Sequence, residues 1–368
     1  MTRLQRPAIA AQTGRPNLAA AMGSATQRGL QTGNAVVAFA PPDRRRPEGV
    51  RQLERLARML APLGSPVIVF NASHSGSRLL ASMLSRLGVF MGSNLNDSED
   101  SLDLFELVKY LVEAHAPDYS RLFAEGDPTL EARVEAAIAS HLAGRSPGRR
   151  WGWKLCETAH ALPVISRLFP NARCVHLLRD GRDVAFSPFL APKAPFWRKI
   201  YFNDARIYSW QGHSMTQRAY RNHGHLFNAA RWVNSVTLGR AHGAMLGERY
   251  LEMRYEALVA DPAAEMARLA AFLGVEHAVG AGMPEVKTGA VGKWRSQPAR
   301  RLAEVKTIAE PTLGAFGYDW AGEESLGDTV RRTLDRATRF FARGDRVSVR
   351  PHVEPGGLGG LFRVRTQR

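Results

Sequence analysis

Cysteine is nearly absent from this chain: Cys156 and Cys174 are the only two in 368 residues, and both sit in apolar segments. Two thiols are too few for a disulfide scaffold or a structural zinc site, so both read as buried, inert side chains. Also missing is any apolar run of about 18 residues, which excludes a membrane-spanning helix. The opening stretch, MTRLQRPAIAAQTGRP, lacks the continuous apolar core of a secretory signal, and the cytoplasm is the expected location. Acid is scarce as well, with 34 Asp and Glu against 50 Lys and Arg for a formal charge of +16. Such an excess first suggests a nucleic-acid binder. Its distribution argues otherwise. Residues 1–46 hold seven Arg and one Asp, and residues 329–368 hold ten Arg against Asp335, Asp345 and Glu354, so the two ends contribute +6 and +7 and leave +3 for residues 47–328. The basicity belongs to two solvated arms, which leaves peripheral contact with an anionic surface open but predicts no specific nucleic-acid partner.

What is present is an ordinary globular composition, 45% hydrophobic and 23% charged, with a texture that changes along the chain. Residues 1–46 are rich in Gly, Ala, Gln, Arg and Pro without an apolar period and read as a disordered basic arm. Pro47-Glu48 opens an amphipathic helix with Val50, Leu53, Leu56, Ala57 and Leu60 on one face and Gly64 as its stop. From Pro66, strand and helix signals alternate: short strands at Val67–Phe70, Trp151–Cys156, Arg173–Leu178 and Leu251–Arg254. The last leads into a helix capped by Asp261, with Pro262 in its first turn and Gly274 past its end. This order predicts an α/β fold, a central mostly parallel sheet flanked by helices on both faces. Residues 47–328 form the expected folded domain, and 329–368 a basic C-terminal helix with a Gly-rich tail.

Three segments carry candidate binding chemistry. The strand at 67–70 runs into the small-residue loop Asn71-Ala72-Ser73-His74-Ser75-Gly76-Ser77 and then a helix. Such a P-loop-like strand–loop–helix wraps an anion with backbone amides at the helix's positive end, with Arg78 or His74 as the available cation. A tight turn that merely prefers small residues would look the same. The loop lacks the Gly-Lys-Ser/Thr of nucleotide triphosphate loops, since Gly76 is followed by Ser77-Arg78. Arg179-Asp180-Gly181-Arg182-Asp183-Val184-Ala185-Phe186-Ser187 closes the third strand, where ligands bind in open α/β sheets. Arg179 projects into that crevice and Ser187 faces the same anion, while Arg182 and Asp183 read as a surface salt-bridge cluster. In Lys287-Thr288-Gly289-Ala290-Val291-Gly292-Lys293-Trp294-Arg295, two glycines, a flat aromatic and flanking cations suit a loop closing over a purine nucleotide.

In this order the pieces resemble the sulfotransferase family. Residues 70–80 resemble its 5'-phosphosulfate loop, residues 179–187 its 3'-phosphate motif (Arg-Asp-x-Arg-Asp-Val-x-x-Ser), and residues 287–295 its late nucleotide loop (Arg-Lys-Gly-x-x-Gly-x-Trp-Lys/Arg). Arg254–Pro262 with Phe272-Leu273-Gly274 resembles its penultimate block, so the likeness covers about residues 66–320. The resemblance implies 3'-phosphoadenosine-5'-phosphosulfate as co-substrate, no metal, and binding residues His74, Ser75, Gly76, Ser77, Arg78, Arg179, Ser187, Lys287, Thr288, Gly289 and Trp294. It also has departures: His74 stands where the first loop usually has a cation, and Lys287-Thr288 stands for an Arg-Lys pair.

Sulfuryl transfer needs in-line attack, removal of the acceptor's proton and stabilisation of charge on the leaving phosphate. Trp151-Gly152-Trp153-Lys154 resembles the strand end at which the family places a catalytic lysine, which implies Lys154 at the bridging oxygen. Cytosolic members often have a histidine base two residues later, where this chain has Cys156. Other branches take a carboxylate from the segment after the first helix, here Gly92–Asp103, and Asp97 is the first choice there with Glu157 second. His160 and His176 read as core or capping residues. Acceptor specificity is expected from loops at 92–148 and 188–230, the latter dense in aromatics (Phe189, Phe196, Trp197, Tyr201, Phe202, Tyr208 and Trp210), with carbohydrate slightly favoured over a small phenol or a lipid-linked sugar. The competing readings are a P-loop-type nucleotide kinase and a non-catalytic anion- or polysaccharide-binding protein.

Overall fold

The computed structural model describes residues 46–116, 118–188, 217–276, 288–318 and 320, with residues 217–223 and Thr288 described by backbone alone. Both basic arms, Lys287 and the aromatic set from Phe189 to Trp210 lie outside these residues, apart from Arg46. Four strands, β1 (Val67–Asn71), β2 (Gly152–Lys154), β3 (Arg173–Leu178) and β4 (Tyr250–Arg254), form one sheet in the order β2-β1-β3-β4. Every pairing is parallel, with Val69 opposite both Lys154 and Val175, and Leu178 opposite Arg254. Parallel strands need crossovers, and helices supply them: α2 (Ser77–Arg86), α3 (Leu102–His115), α4 (Ser120–Glu125) and α5 (Leu130–His141) lie between β1 and β2, α6 (Thr158–Leu168) between β2 and β3, and α7 (Gly181–Ala185) and α8 (Gln217–Ala244) between β3 and β4, while α1 (Glu48–Leu60) precedes the sheet and α9 (Tyr255–Ala260), α10 (Pro262–Leu273) and α11 (Ala299–Ala315) follow it. None of the described helices is long and apolar enough to cross a membrane.

Because side chains alternate across a strand, β1 feeds two cores at once. Ile68 and Phe70 join Trp153 and the apolar faces of α1, α3 and α6, while Val67 and Val69 join Val175, Leu177 and the faces of α2 and α10. Leu104, Leu107, Val108, Leu111 and Val112, at helical spacing, are all essentially inaccessible. Residues 102–141, expected as acceptor loops, are therefore mostly three helices of this core. A third cluster joins Ala72, Leu178 and Val184 to Trp232 and Val236 of α8 and to Val305, Ala309 and Leu313 of α11. All four strands thus end on one side of the sheet, at Asn71, Lys154, Leu178 and Arg254, where the connecting segments gather.

Candidate functional site

The turn after β1 is set by its small residues. The amide and hydroxyl of Ser75 both donate to the Ala72 carbonyl, at 3.2 and 2.6 Å, and Gly76 caps α2 in the left-handed region at φ 81°. A Cβ at Gly76 would come closer than 3.0 Å to the Tyr255 ring, so only glycine fits there. The first amides of α2, from Ser77 and Arg78, lie beyond the reach of intrahelical acceptors, as at any helix start, and so suit an anion. His74 is itself left-handed at φ 70°, which turns its carbonyl to accept from Arg179 Nη1 at 2.9 Å. Among the described residues only His74 and Glu99 combine a side chain with positive φ, and both stand at this site.

Arg179 joins all three segments. Besides His74 it donates to the Ala290 carbonyl of the late loop, stacks over Tyr255 at 4.6 Å and lies 4.0 Å from Asp183. Its Nε–H is buried with no partner among the described residues. Asp183 accepts the amides of Gly292 (2.8 Å) and Trp294 (3.0 Å) and is fully buried, which pushes its carboxyl up while those amides pull it down. Ser187 closes the group: its hydroxyl donates to the Asp183 carbonyl at 3.0 Å and accepts from Lys293 Nζ at 2.9 Å. Arg182 and Asp183 are no surface cluster. Both are buried; Arg182 chelates Asp180 (2.9 and 2.8 Å) and lies flat over Trp294 at 3.9 Å, because the late loop folds down onto α7. Gly289 is exposed and Trp294 buried.

His74 shows the electrostatic character of this pocket. Burial, together with Arg231, Lys293 and Arg179, lowers its pKa to about 4, so the ring is neutral at physiological pH. Arg78 is exposed, and its charge acts on Glu99. Arg179 aside, the positive charge acting on the loop comes from Arg231 of α8 and Lys293 of the late loop. Neither was assigned from the sequence: Lys293 lay unassigned within a quoted motif, and Arg231 belongs to no motif.

On the other side of the loop, Lys154 ends β2, buried at 2% exposure, and donates to the Asp100 carboxylate at 2.7 Å and to the Ser98 carbonyl. The turn that brings these groups together is built by Asn96, whose side-chain oxygen accepts the amides of Ser98 and Asp100, both at 2.9 Å. Ser101 then caps α3 and donates its amide to the Lys154 carbonyl at 3.1 Å. Glu99 is half-buried; burial raises its pKa, and the charges of Lys154 and Arg78 act against that rise. Asp97 is exposed, so of this segment's carboxylates it is Asp100 and Glu99 that engage the lysine. Glu157 is buried before α6, beside Cys156, whose thiol touches Ser73 and is pushed up by burial and by Glu157 and Asp100, hence neutral. Cys174 is buried and pushed up to about 12. His160 and His176 are buried in the core, at about 3.

A family profile described as the sulfotransferase family matches residues 66–278. Among solved structures, a sulfotransferase domain from the Synechococcus PCC 7002 olefin synthase is 20% identical, covering 69% of this chain and 95% of its own at a TM-score of 0.41. A sulfotransferase from Mycobacterium avium is 12% identical, with 75% and 84% covered and a TM-score of 0.41. A mouse sulfotransferase complexed with PAP is 13% identical, with 73% and 88% covered and a TM-score of 0.36. Comparison with curated proteins gives no match.

Proposed function

The chain belongs to the sulfotransferase family, and from that premise we propose that it transfers the sulfuryl group of 3'-phosphoadenosine-5'-phosphosulfate to a hydroxyl or amine of an acceptor, carbohydrate being slightly favoured. The observation that carries the reading is Arg179, which ties the first loop to the late loop while keeping a buried guanidinium N–H without a partner among the described residues. A buried donor of this kind is costly unless an anion completes it. In this reading the 3'-phosphate lies against Arg179 and Ser187, and the phosphosulfate lies on the amides of residues 76–78.

The transfer forms one bond from the acceptor oxygen to sulfur and breaks the bond from sulfur to the bridging oxygen, leaving adenosine 3',5'-bisphosphate. Lys154 has three N–H groups, of which Asp100 and the Ser98 carbonyl take two, and the third is available to the bridging oxygen as charge develops there. The acceptor's proton goes to a carboxylate. We give this role to Glu99 in place of Asp97 or Glu157, because it is half-buried, lies within the field of Lys154, and has its pKa raised by burial, which suits a base. Glu99→Gln then lowers kcat by about 100-fold or more, with a smaller loss on acidic nitrophenol acceptors, while Asp97→Asn stays near the parent rate. Because burial raises the Glu99 pKa, the parent rate climbs as pH rises and Glu99 loses its proton, and Glu99→Gln loses that climb. A loss in Glu99→Gln independent of acceptor acidity removes it from the mechanism.

Calorimetry with adenosine 3',5'-bisphosphate, magnesium ATP and heparin tests the whole reading. It expects tight binding of the bisphosphate, weakened roughly ten- to a hundred-fold in Arg179→Ala. Preference for magnesium ATP would establish the kinase reading, and binding of heparin alone the non-catalytic one.

A further inference from the structure

The turn from Asn96 to Ser101 is built around Lys154, and its hydrogen bonds converge on that one ammonium group. Lys154 is 2% exposed and donates to Asp100 Oδ1 at 2.7 Å and to the Ser98 carbonyl. Between these two acceptors the chain passes through Glu99, whose left-handed φ of 62° makes the bend tight. The other oxygen of Asp100 is held as well: Asn96 Nδ2 donates to Asp100 Oδ2 at 3.1 Å. Asn96 also fixes the backbone there, its Oδ1 accepting the Ser98 and Asp100 amides and its amide donating to the Asp100 carbonyl at 3.1 Å.

The turn is tied in its place beside β2. The Ser101 amide donates to the Lys154 carbonyl at 3.1 Å. Ser101 Oγ meets His141 Nδ1 at 3.0 Å, and His141 Nε2 meets the Gly152 carbonyl at 2.9 Å. A carbonyl only accepts, so the ring proton sits on Nε2 and Nδ1 accepts from the Ser101 hydroxyl. Both Ser101 and His141 are fully buried. Residues on either side of the lysine, in strand and in turn, are thus joined through one histidine of α5.

We propose that Asp100 is a positioning residue for the transfer: with the Ser98 carbonyl it fixes two of the three N–H groups of Lys154 and so aims the third, while Asn96 holds its carboxylate in register. This rests on the reading given above, in which Lys154 meets the bridging oxygen. An ammonium that rotates freely about its Cε–Nζ bond offers its donors in every direction. With two of them held it offers one direction before the donor arrives, and no reorganisation is needed as charge develops. Both oxygens of Asp100 must accept, one from Lys154 and one from Asn96, which an amide cannot do whichever way it turns. The carboxylate is required for geometry and takes no proton.

The test is steady-state kinetics of the full chain with 3'-phosphoadenosine-5'-phosphosulfate, using nitrophenols of graded acidity as acceptors and water as the acceptor of last resort. Asp100→Asn is expected to lower kcat about 10- to 100-fold, equally on every nitrophenol, with the KM of the donor within about threefold of the parent. In a Lys154→Ala background the same substitution lowers kcat no further, because its effect passes through the lysine. The exchanged pair, Asn96→Asp with Asp100→Asn, faces a donor with an acceptor at each contact again and recovers most of the lost turnover. An additive loss in the Lys154→Ala background overturns the proposal. So does a loss that shrinks as the acceptor becomes more acidic, which would make Asp100 the base, or a rise in kcat, which would make it a brake on the lysine. Should Asp100→Asn not fold, the exchanged pair decides: near-parent kcat is expected, and a loss as large as that of Lys154→Ala in a folded chain overturns the proposal. If the parent releases adenosine 3',5'-bisphosphate with no acceptor, or Lys154→Ala turns over like the parent, the reading above falls and this assignment with it. If Lys154→Ala fails as expected and folded Asp100→Asn matches the parent, this assignment falls alone.

Discussion

Replacing Gly76 by alanine perturbs fold and function through one atom, and both effects follow from the geometry. The backbone there has φ 81° and ψ 23°, a conformation that costs an L-residue about 1–2 kcal/mol. The added Cβ would also sit closer than 3.0 Å to the Tyr255 ring. That ring is 6% exposed, stacks under Arg179 at 4.6 Å and precedes Glu256, which accepts the Asp180 amide at 2.8 Å. It cannot swing clear without moving Arg179, so the clash adds an overpacking cost of roughly 1–3 kcal/mol. The sum, about 2–5 kcal/mol, is a large part of the 5–15 kcal/mol that holds a typical domain together. Urea unfolding of Gly76→Ala, Tyr255→Ala and the double variant measures it. The clash predicts a coupling of roughly 1–3 kcal/mol in the double variant's favour, since removing the ring removes the overlap and leaves only the backbone strain. Calorimetry on the single variant should show weaker bisphosphate binding because Arg179 is displaced. Strict additivity in the cycle, or a Gly76→Ala chain as stable as the parent, would refute the reasoning.

Three further outcomes are expected. Asp183→Ala leaves the buried Trp294 amide unpaired, at about 1–3 kcal/mol, and the half-buried Gly292 amide with it, and amide exchange at both should accelerate; unchanged protection there contradicts the role given to Asp183. Burial holds His160 and His176 at about 3 in the folded chain against about 6.5 unfolded, so the unfolded state takes up protons first: stability is complete above pH 6.5 and falls as pH drops toward 3, by up to about 1.4 kcal/mol per pH unit per histidine. Urea titrations at pH 7, 6 and 5 check this, and a flat profile rejects it. Asp127, which burial raises but hydrogen bonds from Tyr110, the Thr129 amide and His115 hold down at about 2, adds loss in the same direction below pH 4. A chain trimmed to residues 47–328 should fold and bind the bisphosphate as the full chain does, because the arms carry +13 of the +16 net charge yet contain none of the assigned site residues; loss of binding in the folded, trimmed chain assigns an arm to the site.

Where sequence and structure agree, local physics sufficed. The four strands are short apolar runs bounded by breakers, and each lies within two residues of its expected limits, because no helix of adequate length fits between Pro66 and the loop at 71–77 or between Asn171 and Arg179. The helix from Pro262 announces itself through Asp261, whose side chain accepts the Ala264 amide at 3.0 Å, and through Gly274 in the left-handed region. Helix α8 gives no comparable signal. Its inward face includes Asn228 and Arg231 beside Trp232, so the apolar stripe that marks an amphipathic helix is broken by the polar groups that dock it on the 179–187 segment. Within residues 92–148, expected as an acceptor loop, Leu104, Leu107, Val108, Leu111 and Val112 already stand at helical spacing in the sequence, which marks the helix Leu102–His115.

The site divides in the same way, between what neighbours in sequence dictate and what neighbours in space dictate. Loop conformation is local: Ser75 folds back on Ala72, Gly76 takes the left-handed turn, and Asn96 shapes the turn that brings Ser98 and Asp100 onto Lys154. Charge is not local. Arg179 meets His74 from 105 positions away, and the lysine that bonds Ser187 comes from 106 positions further along. A motif reads His74 as a missing cation, whereas burial first, and then Arg231, Lys293 and Arg179, hold its ring neutral. The same holds for the carboxylates near Lys154. Asp97, Glu99 and Asp100 are equivalent as letters, and only the turn set by Asn96 leaves Asp97 exposed, half-buries Glu99 and pairs Asp100 with the lysine.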